Sequence, residues 1–186
     1  MKAKLKLFSG FILIFVAFGL IVGLAFPMLS DPESAGRSEK RLAVDFPFLK
    51  EEKSDTVLIY FGYVGCTRVC TPALNDLADI YREAKANGEQ SLSVWFVNMT
   101  PQMDADSVQS WGEYFDPEFK SYAPSEKELQ TMVHTLNLVY TQMGVDAEHM
   151  PYAYLLRKTI NGYELVYIYT SSPYNRTLIL KDIGDF

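Results

Sequence analysis

Residues 56–88, TVLIYFGYVGCTRVCTPALNDLADIYREAKANG, decide the fold of this chain. "TVLIYFGY" is short, apolar and rich in β-branched and aromatic residues, with polar residues on either side, which predicts a buried strand. "TPALNDLADIYREAKANG" then predicts a helix. Thr71 is placed to cap it and Pro72 suits the first helical position; Leu74, Leu77, Ala78 and Tyr81 share one face, and Gly88 ends it. Between the two runs stand Cys66 and Cys70, the two cysteines of the sequence. Three roles are open to them: a disulfide, a redox couple, or half of a metal site.

Downstream, strand and helix patterns keep alternating. "SLSVWFVNM" reads as a second buried strand and "DADSVQSWGEYF" as a short helix with Val108, Trp111 and Phe115 on one side; Asp104 and Asp106 read as its caps. "FKSYAP" is a brief strand. "SEKELQTMVHTLNLVY" opens with Ser125 and Glu128 in capping-box spacing and lines up Leu129, Met132, Val133, Leu136 and Val139. "PYAYLLRKTINGYELVYIY" holds two strands joined through Asn161-Gly162, a hairpin signal, and a closing helix spans about Arg176 to Asp182. Tyr163, Tyr167 and Tyr169 alternate along the last strand, or else mark a docking surface. Early crossover units imply parallel strands, and the late hairpin adds antiparallel ones. The expected fold class is α/β, with a mixed central sheet flanked by helices. The thioredoxin-like fold matches that order and puts its reactive cysteines where the first strand meets the first long helix.

The ends and the charge narrow the function. Of 186 residues, 48% are hydrophobic and the net charge is −6, so the chain is globular and has no basic stripe for nucleic acid. Lys2, Lys4 and Lys6 precede a run uncharged from Leu7 to Ser30. That run is long enough to cross a bilayer, and the lysines orient its start to the cytoplasm. Residues 1–30 are therefore read as an uncleaved single-pass anchor in the inner membrane, residues 31–41 as a polar tether, and residues 42–186 as a domain on the extracytoplasmic side. Two thiols persist as a disulfide in such an oxidising compartment.

A helix beginning near Cys66 or Thr67 puts both sulfurs on one face, close to free amides and the positive end of the helix dipole, which favour thiolate. Arg68 pushes the same way. Adjacent thiolates suit Cu(I), Cu(II) or Zn(II). A structural zinc site takes four protein ligands, which this sequence does not supply. A disulfide across so short a loop restrains little, and residues four apart in a helix lie near the limit of disulfide reach. Of the two histidines, His134 in "TMVHTLNL" reads as a helix-surface residue. His149, in "DAEHMPYAYLL", sits on a loop entering a strand; in a thioredoxin-like sheet that loop faces the cysteine turn. Met143 and Met150 are soft donors nearby, although scattered methionines read first as core filler. Pro151 stands where thioredoxins carry a cis-proline; trans is the default for an X-Pro bond, and a cis Met150–Pro151 bond would let its backbone dock a substrate thiol peptide against Cys66.

From about Phe46 to Tyr169 the chain resembles the SCO/SenC family of membrane-anchored, thioredoxin-like copper proteins. The likeness rests on "GCTRVCTPAL", on "EHMPYAYLL", and on "FVNMTPQMDADSVQSWGEYFDPEF", where Pro101, Asp104, Phe115, Asp116 and Pro117 fall in step. It implies copper, as Cu(I) or Cu(II), held by Cys66, Cys70 and His149. It also implies a role in maturing the binuclear copper site of cytochrome c oxidase, with that enzyme's copper-bearing subunit as partner. The alternative is a thiol–disulfide oxidoreductase using Cys66 and Cys70 on other thiol-containing periplasmic proteins. Thr67, Arg68, Thr71 and Thr100 depart from the family pattern, and an arginine beside the thiols favours the redox alternative.

Overall fold

The computed structural model describes residues 14–21, 36–138, 140–141, 148–149 and 151–185, with residues 140, 141, 148 and 149 described by backbone alone. The central strand β2 (Thr56–Gly62) is buried at all seven positions. Such a run needs cover on both faces of its sheet. Leu58 and Tyr60 point into one core, with Leu74, Leu77, Phe96 and Ile179, while Val57, Ile59 and Phe61 point into the other, with Leu129, Met132 and Leu156. The alternation of one strand thus splits the apolar interior into two layers.

Around β2 lie β1 (Arg37–Val44), β3 (Leu92–Asn98), β4 (Lys120–Tyr122), β7 (Ala153–Thr159) and β8 (Gly162–Tyr169), in the spatial order β1-β8-β7-β2-β3-β4. β2, β3 and β4 run parallel, and β7, β8 and β1 pair antiparallel. A separate short pair joins β5 (Tyr140–Thr141) to β6 (Glu148–His149). Helix α2 (Cys70–Ala86) fills the first face with α3 (Ala105–Glu113) and α5 (Arg176–Gly184), and α4 (Glu126–Leu136) fills the second. This is the α/β architecture with a mixed, helix-flanked sheet that the sequence predicts.

Local signals mostly fall where expected. Asp104 caps α3 by accepting from the Ser107 amide, and Ser125 and Glu128 form a reciprocal capping box on α4. The hairpin differs by one residue: Ile160 and Asn161 make the turn, and Gly162, at φ +127°, begins β8. Tyr163 and Tyr169 are buried packing residues, and Tyr167, half-buried, packs against the core with Arg37 over its ring.

Two sequence boundaries move. β1 begins at Arg37, so residues 37–41 are sheet and not tether. As an edge strand, β1 carries its charges outward, with Glu39, Lys40 and Arg41 exposed and a bulge between Glu39 and Leu42. Charges and bulges blunt edges against further pairing, and they give a strand the composition of a linker. Arg37 also pairs with Asp182, which is buried in α5. The second boundary is the start of α2. Its first residue is Cys70, four positions later than the earliest start the sequence allows.

Residues 1–35 form a unit of their own. Its described part is one helix, α1 (14–21), whose Ile14, Phe15, Phe18 and Ile21 are largely exposed. Among the described residues, no helix is long and apolar enough to cross a membrane. The rest of the expected anchor lies outside them.

Candidate functional site

The parallel strands β2 and β3 end side by side, Gly62 opposite Asn98. Beyond Gly62 the chain turns through Gly65, at φ +85°, a backbone conformation that favours glycine. The carbonyl of Tyr63 then accepts from the Cys66 amide at 3.3 Å. Cys66 in turn clamps the next turn: its carbonyl accepts from the Thr71 amide and the Thr71 hydroxyl, both at 3.1 Å. Thr71 therefore ties down the cysteine loop instead of capping the helix.

α2 lacks a side-chain cap of the usual kind, because Val69 stands at its N-cap. The Cys66 sulfur takes that place, accepting from the Cys70 amide at 3.3 Å. Free amides at a helix N-terminus favour negative charge on whatever faces them. Both cysteines are buried thiols, not joined in a disulfide.

Their environments set the two thiols apart. Burial alone raises Cys66, but hydrogen bonds from the Cys70 thiol, the Cys70 and Val69 amides and the Tyr63 phenol outweigh it and hold the pKa below the usual thiol value. Arg68 is exposed, and it is hydrogen bonding rather than its charge that lowers Cys66. Cys70, fully buried, is pushed up to about 12, first by burial and then by its hydrogen bond to Cys66. The phenol of fully buried Tyr60 also hydrogen-bonds Cys70. The electrostatics thus favours thiolate at Cys66 and thiol at Cys70.

Gly62 makes this pairing possible. A Cβ there would lie 2.9 Å from the Cys70 sulfur and 2.9 Å from a Tyr60 ring carbon. The missing side chain is the space the sulfur occupies.

The chain enters β7 at the end of the sheet where the cysteine loop leaves β2. Ala153, four residues after His149, pairs with Tyr60 near the end of β2, and His149 itself pairs with Tyr140. The imidazole lies outside the described side chains, as do Met143 and Met150. The Met150–Pro151 bond is likewise outside, since Met150 is not described. Among the described residues no three potential ligands from His, Cys, Asp and Glu gather at one point. His134 is exposed in the last turn of α4, away from the thiol pair in sequence and face.

Sequence reasoning missed Tyr60, Gly62 and Tyr174. Tyr60 and Gly62 were legible in principle, since alternation along β2 puts both on the Cys70 face. Tyr174 gave no signal. Its hydroxyl donates to the Pro151 carbonyl at 2.9 Å from a position 23 residues downstream.

Known proteins share this fold. A family model for SCO1/SenC matches residues 50–173. An SCO2-like protein of Rickettsia felis is 25% identical over 130 residues, covering 66% of this chain and 62% of the relative. The chain thus matches less than two thirds of that relative's length. Arabidopsis thaliana ScoI, solved with copper bound, superposes with a TM-score of 0.64 at 20% identity, over 74% of this chain and 89% of that one. BsSco, described as a member of the Sco family of cytochrome c oxidase assembly proteins with a disulfide switch, superposes with a TM-score of 0.58 at 16% identity, over 74% and 82%. The structural likenesses establish the thioredoxin-like fold. With well over half of its length matched by the family model, the chain belongs to the SCO1/SenC family.

Proposed function

We propose that this chain is a copper-binding metallochaperone that acts in maturing the binuclear copper site of cytochrome c oxidase, with Cys66, Cys70 and His149 as its ligands. Copper is the cargo. The observation that carries the reading is the thiol pair: two unjoined sulfurs at one helix N-terminus, that of Cys66 accepting from the Cys70 amide. Two thiolates make a soft donor set suited to Cu(I), and an imidazole adds a donor that Cu(II) favours. Ligand exchange then passes the ion to a client's own thiols. Copper bound to a related fold and the oxidase-assembly role described for BsSco support the assignment. The uncharged run from Leu7 to Ser30 supports a single-pass inner-membrane anchor, with the domain on the extracytoplasmic side.

The test is metal titration of the reduced full chain under anaerobic conditions. We expect one Cu(I) per chain, and His149→Ala should weaken Cu(II) binding by at least tenfold while leaving Cu(I) nearly unchanged. Cu(II) binding indifferent to His149 removes the imidazole from the site.

A second reading is favoured by the unequal thiols. The Cys66 thiolate attacks a client disulfide, forming a mixed disulfide and expelling one client thiolate. Cys70 then attacks the Cys66 sulfur, releasing the second client thiol and leaving a Cys66–Cys70 disulfide. The client gains two electrons and the dithiol loses two. Cys66→Ser should abolish exchange, and Cys70→Ser should accumulate mixed disulfides that migrate as a larger species on non-reducing gels. Absence of any trapped species rules against this chemistry.

A further inference from the structure

The thiol pair straddles a boundary. Cys70 is the first residue of α2 and is fixed by the helix, whereas Cys66 stands before it in the turn that leaves β2. Between them Thr67 and Arg68 are exposed and Val69 is only half-buried, so burial does little to hold the connecting loop. Hydrogen bonds to the Cys66 backbone hold it instead. On the strand side, the Cys66 amide donates to the Tyr63 carbonyl at 3.3 Å. On the helix side, the Cys66 carbonyl accepts twice from Thr71, from its amide and from its hydroxyl, each at 3.1 Å.

The amide bond uses a donor that the first turn of any helix leaves free. The hydroxyl bond is different, because it depends on the residue type at position 71 and adds nothing to the helix itself. Together they fill both lone pairs of one carbonyl and close the loop from Cys66 to Thr71. In the closed loop the Cys66 sulfur lies 3.3 Å from the Cys70 amide nitrogen, and the Cys70 thiol hydrogen-bonds to it. The clamp thus holds the two sulfurs against each other although the link between them is exposed.

We propose that the Thr71 hydroxyl is a positioning group for thiol exchange: by clamping the Cys66 carbonyl it keeps the Cys66 sulfur where Cys70 attacks it. The inference rests on the thiol–disulfide reading above. In the step concerned, the Cys70 sulfur bonds to the Cys66 sulfur and the bond from Cys66 to the client sulfur breaks. The client sulfur leaves with the electron pair of that bond, and the Cys70 proton goes to it or, for an acidic thiol, to water. Reacting atoms held in contact gain rate through proximity, and loosening the loop gives that gain back.

The experiment treats the reduced full chain with one equivalent of an aromatic disulfide, dithiobis(nitrobenzoate). This reagent releases a coloured thiolate twice, once when Cys66 attacks it and again when Cys70 displaces the second half from Cys66. Thr71→Val keeps the shape of the side chain and removes the hydroxyl. It should slow the second release about three- to tenfold, the worth of one hydrogen bond, and leave the first within about twofold. The equilibrium of its Cys66–Cys70 disulfide with glutathione should shift toward the dithiol by a similar factor. Thr71→Ser should restore the second rate, and Thr71→Ala should match Thr71→Val and decides the matter if valine disturbs the helix start. An unchanged second release in the variants without the hydroxyl overturns the inference. So does an equal slowing of both releases, which marks a general loosening of the site, or a Thr71→Ser that behaves like Thr71→Val, which assigns the effect to the γ-methyl. A parent chain that gives no second release, or a Cys70→Ser chain that still gives one, removes the thiol-exchange reading itself and this inference with it.

Discussion

Cys66 and Cys70 are chemically unequal although only three residues separate them. Cys66 receives the amides of a helix start, whereas Cys70 sits beneath it among apolar side chains and the Tyr60 ring. Thiolate, not thiol, reacts with alkylating agents. At pH 7 to 8, iodoacetamide should therefore modify Cys66 while Cys70 stays intact, as mass spectrometry of the digested protein would show. Labelling of both at equal rates removes the asymmetry on which the redox reading depends. The number and place of the cysteines are plain in the sequence, but their difference is not, because each pKa is set by neighbours that folding supplies.

At the scale of elements, the site is a meeting of the end of β2 with the start of α2. The strand stops at Gly62 so that the helix can bring the Cys70 sulfur onto it. A methyl at that position collides with a sulfur and an aromatic ring, and overpacking of this kind costs about 1–3 kcal/mol. Gly62→Ala should lower the denaturation midpoint accordingly and make Cys70 accessible to alkylation. A variant as stable as the parent, with Cys70 still protected, shows that the helix start adjusts freely. The late start of α2 has the same local cause. Val64-Gly65-Cys66 is taken up by a turn, and Thr71, whose type and place suggest a cap, spends both its amide and its hydroxyl on the Cys66 carbonyl. Capping chemistry was legible; its recipient was a matter of geometry. β1 teaches the converse, since an edge strand with charges facing water has the composition of a tether, and only its pairing with β8 distinguishes the two.

Across the whole molecule, distant segments are joined by a few buried polar groups. Glu52, in the loop before β2, accepts from the Lys53 and Ser54 amides at 2.8 and 2.9 Å, from Ser93 Oγ at 3.1 Å and from Trp95 Nε1 at 2.6 Å, and pairs with Lys120 at 2.8 Å. Burial raises its pKa, but the Lys120 hydrogen bond and the other donors outweigh that and bring it to about 2. A carboxylate depressed in the folded state stabilises the fold fully above its unfolded pKa, about 4.5. Protonation withdraws that stabilisation as the pH falls from there through about 2. The parent should lose stability steadily over this interval. Glu52→Gln should cost about 1–3 kcal/mol at pH 7, through donors left poorly matched, and should flatten the loss in acid. A variant with the parent's full acid dependence assigns that dependence to other carboxylates.

The sequence by itself determined the alternation of strands and helices, the two-faced burial of β2, the caps of α3 and α4, and the place of both cysteines between the first central strand and the first long helix. These are consequences of short-range periodicity and backbone chemistry, written in residues a few positions apart. The tertiary structure alone decided which sulfur is poised to react, why residue 62 is glycine, how Tyr174 reaches the entry to β7, and which charges of β1 belong to a sheet edge. Each depends on contacts between segments tens of residues apart, whose pairing is fixed by close packing and by the need of every buried polar group for a partner, and neither leaves a periodic mark along the chain.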